Sequence, residues 1–293
     1  MLLMIVCGGL LAAGIVAAVV WGTEPLDAPA TPELLTRDAE TRAADVAGRR
    51  LARHVAGLRL YVWWATVFTV IGTVSGLLVT GAGGRLIMRA LAATSPEATG
   101  RLTEAHAAVG DISFEGTFAY LLFGALPFAF ASAALYLLVA PWLPHGRLAG
   151  PMFGLLLFVA VSPFIDPLRA DNVDFDIVGP GWLAVTLFAL LAVLQGAVLA
   201  AIAGRLSRSL PLITRRNWAA AAAPLLAAVV LFPIGAVLAF AGLVAFAFPR
   251  ALPWLLTARA SRRGVIVGRI LIAVAVLVAL PAFIGAVVSI WGR

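Results

Sequence analysis

Residues 166–176, DPLRADNVDFD, gather carboxylates in a chain that is otherwise strongly apolar, and no acidic residue follows them. The four members of this outer acidic cluster are Asp166, Asp171, Asp174 and Asp176. Hard divalent cations prefer several oxygen ligands, which makes Asp171, Asp174 and Asp176 the candidate metal ligands. The spacing lacks the glycine and the late glutamate of a calcium-binding EF-hand loop. We therefore expect these carboxylates to pair with arginines and predict no resident metal.

Polar side chains within the apolar segments are few, and none of these segments carries a charge near its centre. Gln195, Ser132 and Thr73 are the candidates for a polar pathway, although single polar residues in such helices more often join one helix to another. The three histidines fall in connecting segments, which argues against haem or zinc, and no cofactor is predicted. Cys7 is the single cysteine, so no internal disulfide can form.

The composition indicates a chain that folds in a lipid bilayer. Hydrophobic residues make up 62% of it, charged residues only 12%, and the mean hydropathy is +1.04. Because apolar stretches long enough to cross a bilayer recur and strand-like alternation is absent, we predict an all-α, polytopic integral membrane bundle in a single transmembrane domain over residues 1–293. All the basic residues are arginine, and they flank the apolar segments, so the net charge of +7 does not indicate nucleic-acid binding.

About seven transmembrane segments are predicted. The fourth is short and contains Pro163, whereas the sixth is longer than one crossing needs. That sixth segment is either one long helix or a re-entrant hairpin that turns at residues 232–235. The segments cover residues 2–22, 60–80, 117–140, 151–165, 181–203, 218–248 and 266–291.

The connecting segments differ in charge. Residues 23–59 are predicted to form an arginine-rich helical arm on the cytoplasmic side, followed by Tyr61, Trp63 and Trp64 as an aromatic belt at the lipid interface. Residues 81–116 and 166–180 are predicted to be extracytoplasmic loops.

Arginine counts orient the chain, because arginines concentrate in the cytoplasmic connections of membrane proteins. Seven crossings with an outer N-terminus place 12 arginines inside and 9 outside, which is a weak bias. If residues 218–248 form a hairpin, the split becomes 16 to 5. Both arrangements predict a multi-pass protein of a bacterial-type plasma membrane with an extracytoplasmic N-terminus.

Three functions remain open on the sequence. The first is a non-enzymatic membrane protein that acts through membrane lipids and a protein partner at the cytoplasmic arm. The second is a small transporter or cation channel with an acidic outer mouth. The third is an enzyme acting on a lipid-linked substrate through the aspartates of the outer acidic cluster.

Overall fold

The computed structural model describes residues 1–29, 37, 41, 46–111, 113–165, 167–214 and 217–293. Across these residues the chain is helical and contains no strand, apart from one isolated bridge between Leu102 and Ala108. An all-helical fold is what a bilayer requires, because each helix satisfies its own backbone hydrogen bonds where no water is present.

Five helices of the described chain are long and apolar enough to cross a membrane, or six if one bent pair counts as a single span. The prediction of an all-helical chain with several helices able to span a membrane is thereby confirmed, but the count of seven is not. The long helices are α1 (Leu2–Trp21), α2 (Val46–Thr94), α3 (Phe114–Trp142), α5 (Gly181–Ser209) and α8 (Arg262–Trp291), the shorter α4 spans Gly146–Ala160, and the bent pair is α6 (Phe232–Ala247) with α7 (Ala251–Ala260).

Contacts between the helices show how they run. A Cβ at Gly14 of α1 would lie 3.4 Å from Val79 of α2 and 3.7 Å from Val198 of α5. Nearer the start of α1, Leu11 lies beside Gly83, which follows Val79 along α2. Since the order of contacts reverses along α2, α1 and α2 are antiparallel.

The connection after α2 is shorter than predicted. Residues 82–94 continue α2, and Gly83, Gly84 and Ile87 are buried in the bundle. The link to α3 therefore begins at Ser95 rather than at residue 81.

The short helix α4 lies very close to α5. A Cβ at Gly150 would be only 2.7 Å from the Cα of Ala197 and from the carbonyl oxygen of Gly196. Gly154, four residues later, faces Ala192 and Gly196 in the same way. This is the close backbone approach that small residues four positions apart allow in membrane helices. Phe158 at the far end of α4 packs edge-on against Phe283 of α8.

Residues 218–248 do not form one continuous helix. The helical turn Leu226–Val230 ends at Leu231, whose φ of −94° and ψ of 75° break the helix just before Pro233. The chain then doubles back, and Gly235 approaches the carbonyl oxygen of Ala228.

Both arms of this segment contact the same part of α2. The hydroxyl of Thr66 donates to the Ala221 carbonyl at 3.0 Å, the Tyr61 hydroxyl donates to the Leu238 carbonyl, and a Cβ at Gly57 would lie 3.0 Å from Pro249. The segment thus enters and leaves at one end of the bundle, which is the geometry of a hairpin. We call residues 218–247 the hairpin.

The helix α7 follows the hairpin at an angle of 97° to α6. Arg259 near its end donates to the carbonyls of Leu137 and Leu138, in the last turn of α3, and lies 5.2 Å from the centre of the Trp64 ring. In return, Trp142 Nε1 donates to the Arg259 carbonyl at 3.1 Å. Because the last carbonyls of a helix lack partners of their own, Arg259 caps α3 while it fixes α7 against the bundle.

The two ends of the bundle differ in charge. One end is where the start of α5 meets the end of α8, through a hydrogen bond from the Gly181 N–H to the Arg293 carbonyl. The described residues at this end include five arginines and seven carboxylates. We call it the acidic end; its arginines are Arg85, Arg89, Arg101, Arg169 and Arg293. The other, the arginine-rich end, has twelve described arginines besides Arg37 of the link between α1 and α2, together with Glu24 and Asp27. The twelve are Arg49, Arg50, Arg53, Arg59, Arg147, Arg205, Arg208, Arg250, Arg259, Arg262, Arg263 and Arg269.

Alanine at Gly154 should destabilise the bundle. The added Cβ meets the backbone of α5, so α4 must move away, at a cost of about 2 kcal/mol. Gly285→Ala in α8 is the matched control, because a Cβ there has no neighbour within 4 Å. It should be neutral or stabilising by up to about 1 kcal/mol. Unfolding in mixed detergent micelles measures both, and equal stability of the two variants would contradict the packing.

Replacement of Arg259 by methionine should cost about 1 kcal/mol, because it leaves the partly buried Leu137 carbonyl and the Leu138 carbonyl of α3 without their donor. Arg263→Met removes the same charge from an exposed position of α8 and should change stability by less than about 0.5 kcal/mol. The same unfolding assay compares them. A similar loss in both variants would show that charge, rather than capping, accounts for the effect.

Candidate functional site

The described aspartates of the outer acidic cluster each contact a different part of the acidic end. Asp171 pairs with Arg169 at 3.0 Å, and Asp176 pairs with Arg293 at 3.0 Å. Asp174 accepts a hydrogen bond from the backbone N–H of Glu104 at 2.7 Å. Asp166 lies outside the described residues. The expected pairing with arginine is therefore present for Asp171 and Asp176.

These contacts fasten three segments to one another. Arg169 also pairs with Glu104, so the turn before α5 is tied to the loop between α2 and α3. Arg293 joins the end of α8 to the same turn, with a further hydrogen bond to the Ala170 carbonyl at 3.1 Å. The side chains of Asp171 and Asp176 are mostly exposed, so each pair contributes only about 0–1 kcal/mol.

Uncharged residues beneath the cluster are more deeply buried. Ser95 is buried, and its hydroxyl donates to the Gly179 carbonyl at 3.0 Å and accepts from the Gly179 N–H at 2.9 Å. Asn172 is also buried and accepts from the Asp174 N–H at 2.9 Å. Sequence reasoning missed the role of Ser95, because no local pattern indicates a partner so far along the chain.

The aspartates do not converge on a common point. In the part of the chain that the structure describes, no three histidine, cysteine, aspartate or glutamate side chains are grouped as a metal would require. Asp171, Asp174 and Asp176 instead face Arg169, the Glu104 backbone and Arg293. The arrangement suits a set of structural contacts between loops better than a cation site. We call these contacts of Asp171, Asp174 and Asp176 the clasp.

The three residues of the predicted polar pathway make separate contacts. Gln195 is almost fully buried, and its Nε2 donates to Ser75 Oγ at 3.1 Å, joining α5 to α2. Ser132 donates to the Phe128 carbonyl of its own helix at 2.8 Å. The hydroxyl of Thr73 and Oε1 of Gln195 are buried with no hydrogen-bond partner among the described residues. Gln195 therefore acts as a link between helices, with one acceptor left over.

Two π-helical stretches lie beside this link, and sequence reasoning did not find them. They span Gly76–Gly81 in α2 and Leu121–Ala125 in α3, and Gly81 packs against Leu121. The hydroxyl of Tyr120 donates to the Thr80 carbonyl at 2.9 Å, across the two helices. In the sequence, the glycines at both ends of GLLVTG were the one visible sign of an irregular stretch. Such π-helical turns interrupt regular helices and occur often at functional sites.

Two of the three aromatic residues of the predicted belt are buried in the bundle, and the third, Tyr61, is partly buried. Trp63 and Trp64 are both buried, and Trp63 Nε1 donates to the Leu210 carbonyl at 3.0 Å. The prediction of an interfacial belt at these two tryptophans is wrong, because the hairpin, α7 and the end of α5 cover this face of α2.

The predicted cytoplasmic arm is described only in part. Residues 30–36, 38–40 and 42–45 lie outside the described residues. From Val46 onward the chain is the start of α2, and Arg49, Arg50 and Leu51 are exposed there. Burial begins at Gly57, where α2 meets the hairpin. The first turns of α2 therefore extend beyond the bundle.

Two cavities accompany these features. One of about 230 Å³ lies between α1, α4 and α5 near Arg147, and one of about 150 Å³ lies between α1, α2 and α3 near Arg85. Both are lined mainly by apolar residues, and Gln195 lines neither.

Comparison with family models, with curated proteins and with solved structures finds no match to this chain.

Calcium or magnesium should leave the stability of the protein unchanged beyond the effect of ionic strength. Each described aspartate of the cluster already has its own partner, so a divalent cation gains no preorganised set of ligands. Thermal unfolding in detergent with millimolar CaCl₂ or MgCl₂, against NaCl of equal ionic strength, measures this. A calcium-specific rise in Tm that disappears in Asp174→Asn would contradict the clasp.

Proposed function

We propose that the protein is a multi-pass plasma-membrane protein of bacterial type whose arginine-rich end faces the cytoplasm. The support is the distribution of charge, with twelve described arginines at that end, besides Arg37 of the link between α1 and α2, against five at the acidic end. In this topology α1, α2, α3, α4, α5 and α8 connect the two ends, and the hairpin re-enters from the cytoplasmic side. The N-terminus and Arg293 then lie outside together.

The helix α4 is short for a crossing, since its 15 residues extend for about 22 Å at 1.5 Å per residue. Its glycine contacts with α5 and its aromatic contact with α8 cover one face with protein, while Leu148, Met152 and Leu155 on the opposite face are exposed. A bilayer can thin locally around a short span of this kind at a modest cost.

We further propose that the protein acts by interaction rather than by catalysis or transport, and that its cytoplasmic docking surface is the start of α2. The observation that carries this is the exposed group Arg49 and Arg50 beside the exposed apolar residues Val46 and Leu51. An apolar centre flanked by arginine suits a protein partner with an acidic surface, and the charges would speed encounter and set specificity.

The described contacts give less support to a transporter or to an enzyme acting on a lipid-linked substrate than to an interaction protein. A permeation path needs polar groups that follow one another across the bundle, whereas Gln195, Ser132 and Thr73 make separate contacts and the cavities are apolar. A carboxylate catalyst needs a pocket, but Asp171 and Asp176 are exposed and paired.

The double variant Arg49→Gln, Arg50→Gln should weaken partner binding about thirtyfold, because each of the two arginines near an acidic surface contributes on the order of 1 kcal/mol. Crosslinking in native membranes followed by mass spectrometry of the purified protein measures it. Arg262→Gln, Arg263→Gln is the matched control, since it removes two exposed arginines from the same end.

The control variant should keep the partner set of the unmodified protein. Unchanged crosslinks in the Arg49, Arg50 variant would contradict the docking surface. Equal loss in both variants, accompanied by fewer crosslinks to anionic lipid, would assign the arginines to the membrane surface instead.

A further inference from the structure

The cavity near the acidic end is a slot between three helices. Its volume is about 150 Å³, and its walls are apolar except at Arg85 and Thr117. Engineered cavities of about this volume with apolar walls stay dry and accept small hydrocarbons. The apolar lining residues come from all three helices, among them Val6 and Cys7 of α1, Leu77 of α2, and Phe114 and Phe118 of α3.

The slot opens towards the side of the bundle. Val6, Phe114 and Phe118 on its rim are exposed, with 81% of the surface of Phe114 accessible. In a bilayer these rim residues face lipid, so an acyl chain can reach the slot without passing through the protein.

Arg85 is held in position at this slot by Thr117. Its Nε and Nη2 both donate to Thr117 Oγ1, at 3.0 and 2.6 Å, and Tyr120 lies beneath the guanidinium at 6.0 Å. The Thr117 hydroxyl in turn donates to the Ser113 carbonyl at 2.9 Å, so its oxygen remains an acceptor for Arg85. The arginine is therefore preorganised by a neutral partner.

Arg85 forms no ion pair with any carboxylate that the structure describes. Among the described residues, none lies within ion-pair distance of Arg85, although Glu115 is in the adjacent first turn of α3. A guanidinium has five N–H donors, and two of them are directed at Thr117. The remaining donors include Nη1, whose one hydrogen-bond partner among the described residues is Met88 Sδ at 3.9 Å. Arg85 thus retains its charge and donors for an anion.

We propose that this slot is a binding site for one anionic phospholipid. The phosphate is held by Arg85, and the first methylenes of one acyl chain occupy the apolar slot. A phosphate offers the oxygens that match the fork of a guanidinium, and basic pockets between membrane helices bind anionic headgroups by the same means. Arg89, one turn further along α2, is exposed and lines no such slot.

Cys7 gives a direct test, because it is the single cysteine of the chain and lines the slot. The rate at which methyl methanethiosulfonate modifies it is measured in the full-length protein in detergent, with added phosphatidylglycerol or phosphatidylcholine. Phosphatidylglycerol should slow the modification about tenfold at saturation, whereas phosphatidylcholine, whose headgroup is neutral overall, should have little effect.

Variants separate the site from general charge. Arg85→Gln should abolish the difference between the two lipids, and Arg89→Gln should retain it. Thr117→Val keeps the charge but removes the acceptor that positions it, so it should reduce the preference for phosphatidylglycerol even if Arg85→Gln does not fold.

Three results would overturn the proposal. Equal protection by both lipids would leave an apolar slot with no headgroup site. Equal loss of preference in Arg85→Gln and Arg89→Gln would indicate diffuse attraction between charges. Protection by oleate, with none by phosphatidylglycerol, would assign the slot to a free fatty acid.

Discussion

Contact between helices in hydrocarbon depends on how closely their backbones can approach, because lipid tails are as apolar as the helices and no hydrophobic effect drives them together. The rest of this bundle depends on that approach at α4 and α5. Gly150, Gly154 and Gly196 remove the side chains that would otherwise separate the two helices. The resulting contact allows a helix of 15 residues to connect the two ends of the bundle. The Gln195–Ser75 hydrogen bond then joins α5 to α2 in the same interior.

The hairpin follows from a related constraint. A break in a helix leaves backbone groups that lipid cannot satisfy, so such a break requires neighbouring protein. Here the break at Leu231 leaves both arms beside α2, where Thr66 and Tyr61 donate to carbonyls of the hairpin. As a consequence, the arginines that follow the hairpin lie at the same end as Arg205 and Arg208. The strong separation of charge between the ends therefore depends on the hairpin.

Much of the helical fold could be predicted from the sequence. Apolar length located α1, α3, α5 and α8, because crossing a bilayer imposes a minimum length that is visible in the sequence. The hairpin was an open alternative, since Pro233 and Gly235 suggest a turn but do not decide which way the chain continues. The extension of α2 through residues 82–94 was not predicted, because the apolar stretch ends near residue 80 and residues 81–116 were assigned to an outer loop.

The site was less predictable, because it is formed by contacts between residues distant in sequence. The pairs of Asp176 with Arg293 and of Ser95 with Gly179 link positions whose local patterns carry no sign of each other. The slot at Arg85 depends on Thr117, which becomes its partner only when α2 and α3 lie side by side. The two glycines four positions apart in GPMFG, residues 150–154, could have been used to predict a close contact between helices.

The central claim is that the hairpin returns to the end from which it entered, so that α7 and the start of α8 share a side with the link between α3 and α4. Modification by an impermeant maleimide on intact cells tests it most directly, in a Cys7→Ser background with Asp171→Cys, His145→Cys or Arg262→Cys. All three positions are exposed. The account predicts that the Asp171→Cys variant reacts on intact cells, whereas the other two react only after permeabilisation. Reaction of Arg262→Cys on intact cells, with His145→Cys still protected, would contradict the hairpin and the orientation of charge built on it.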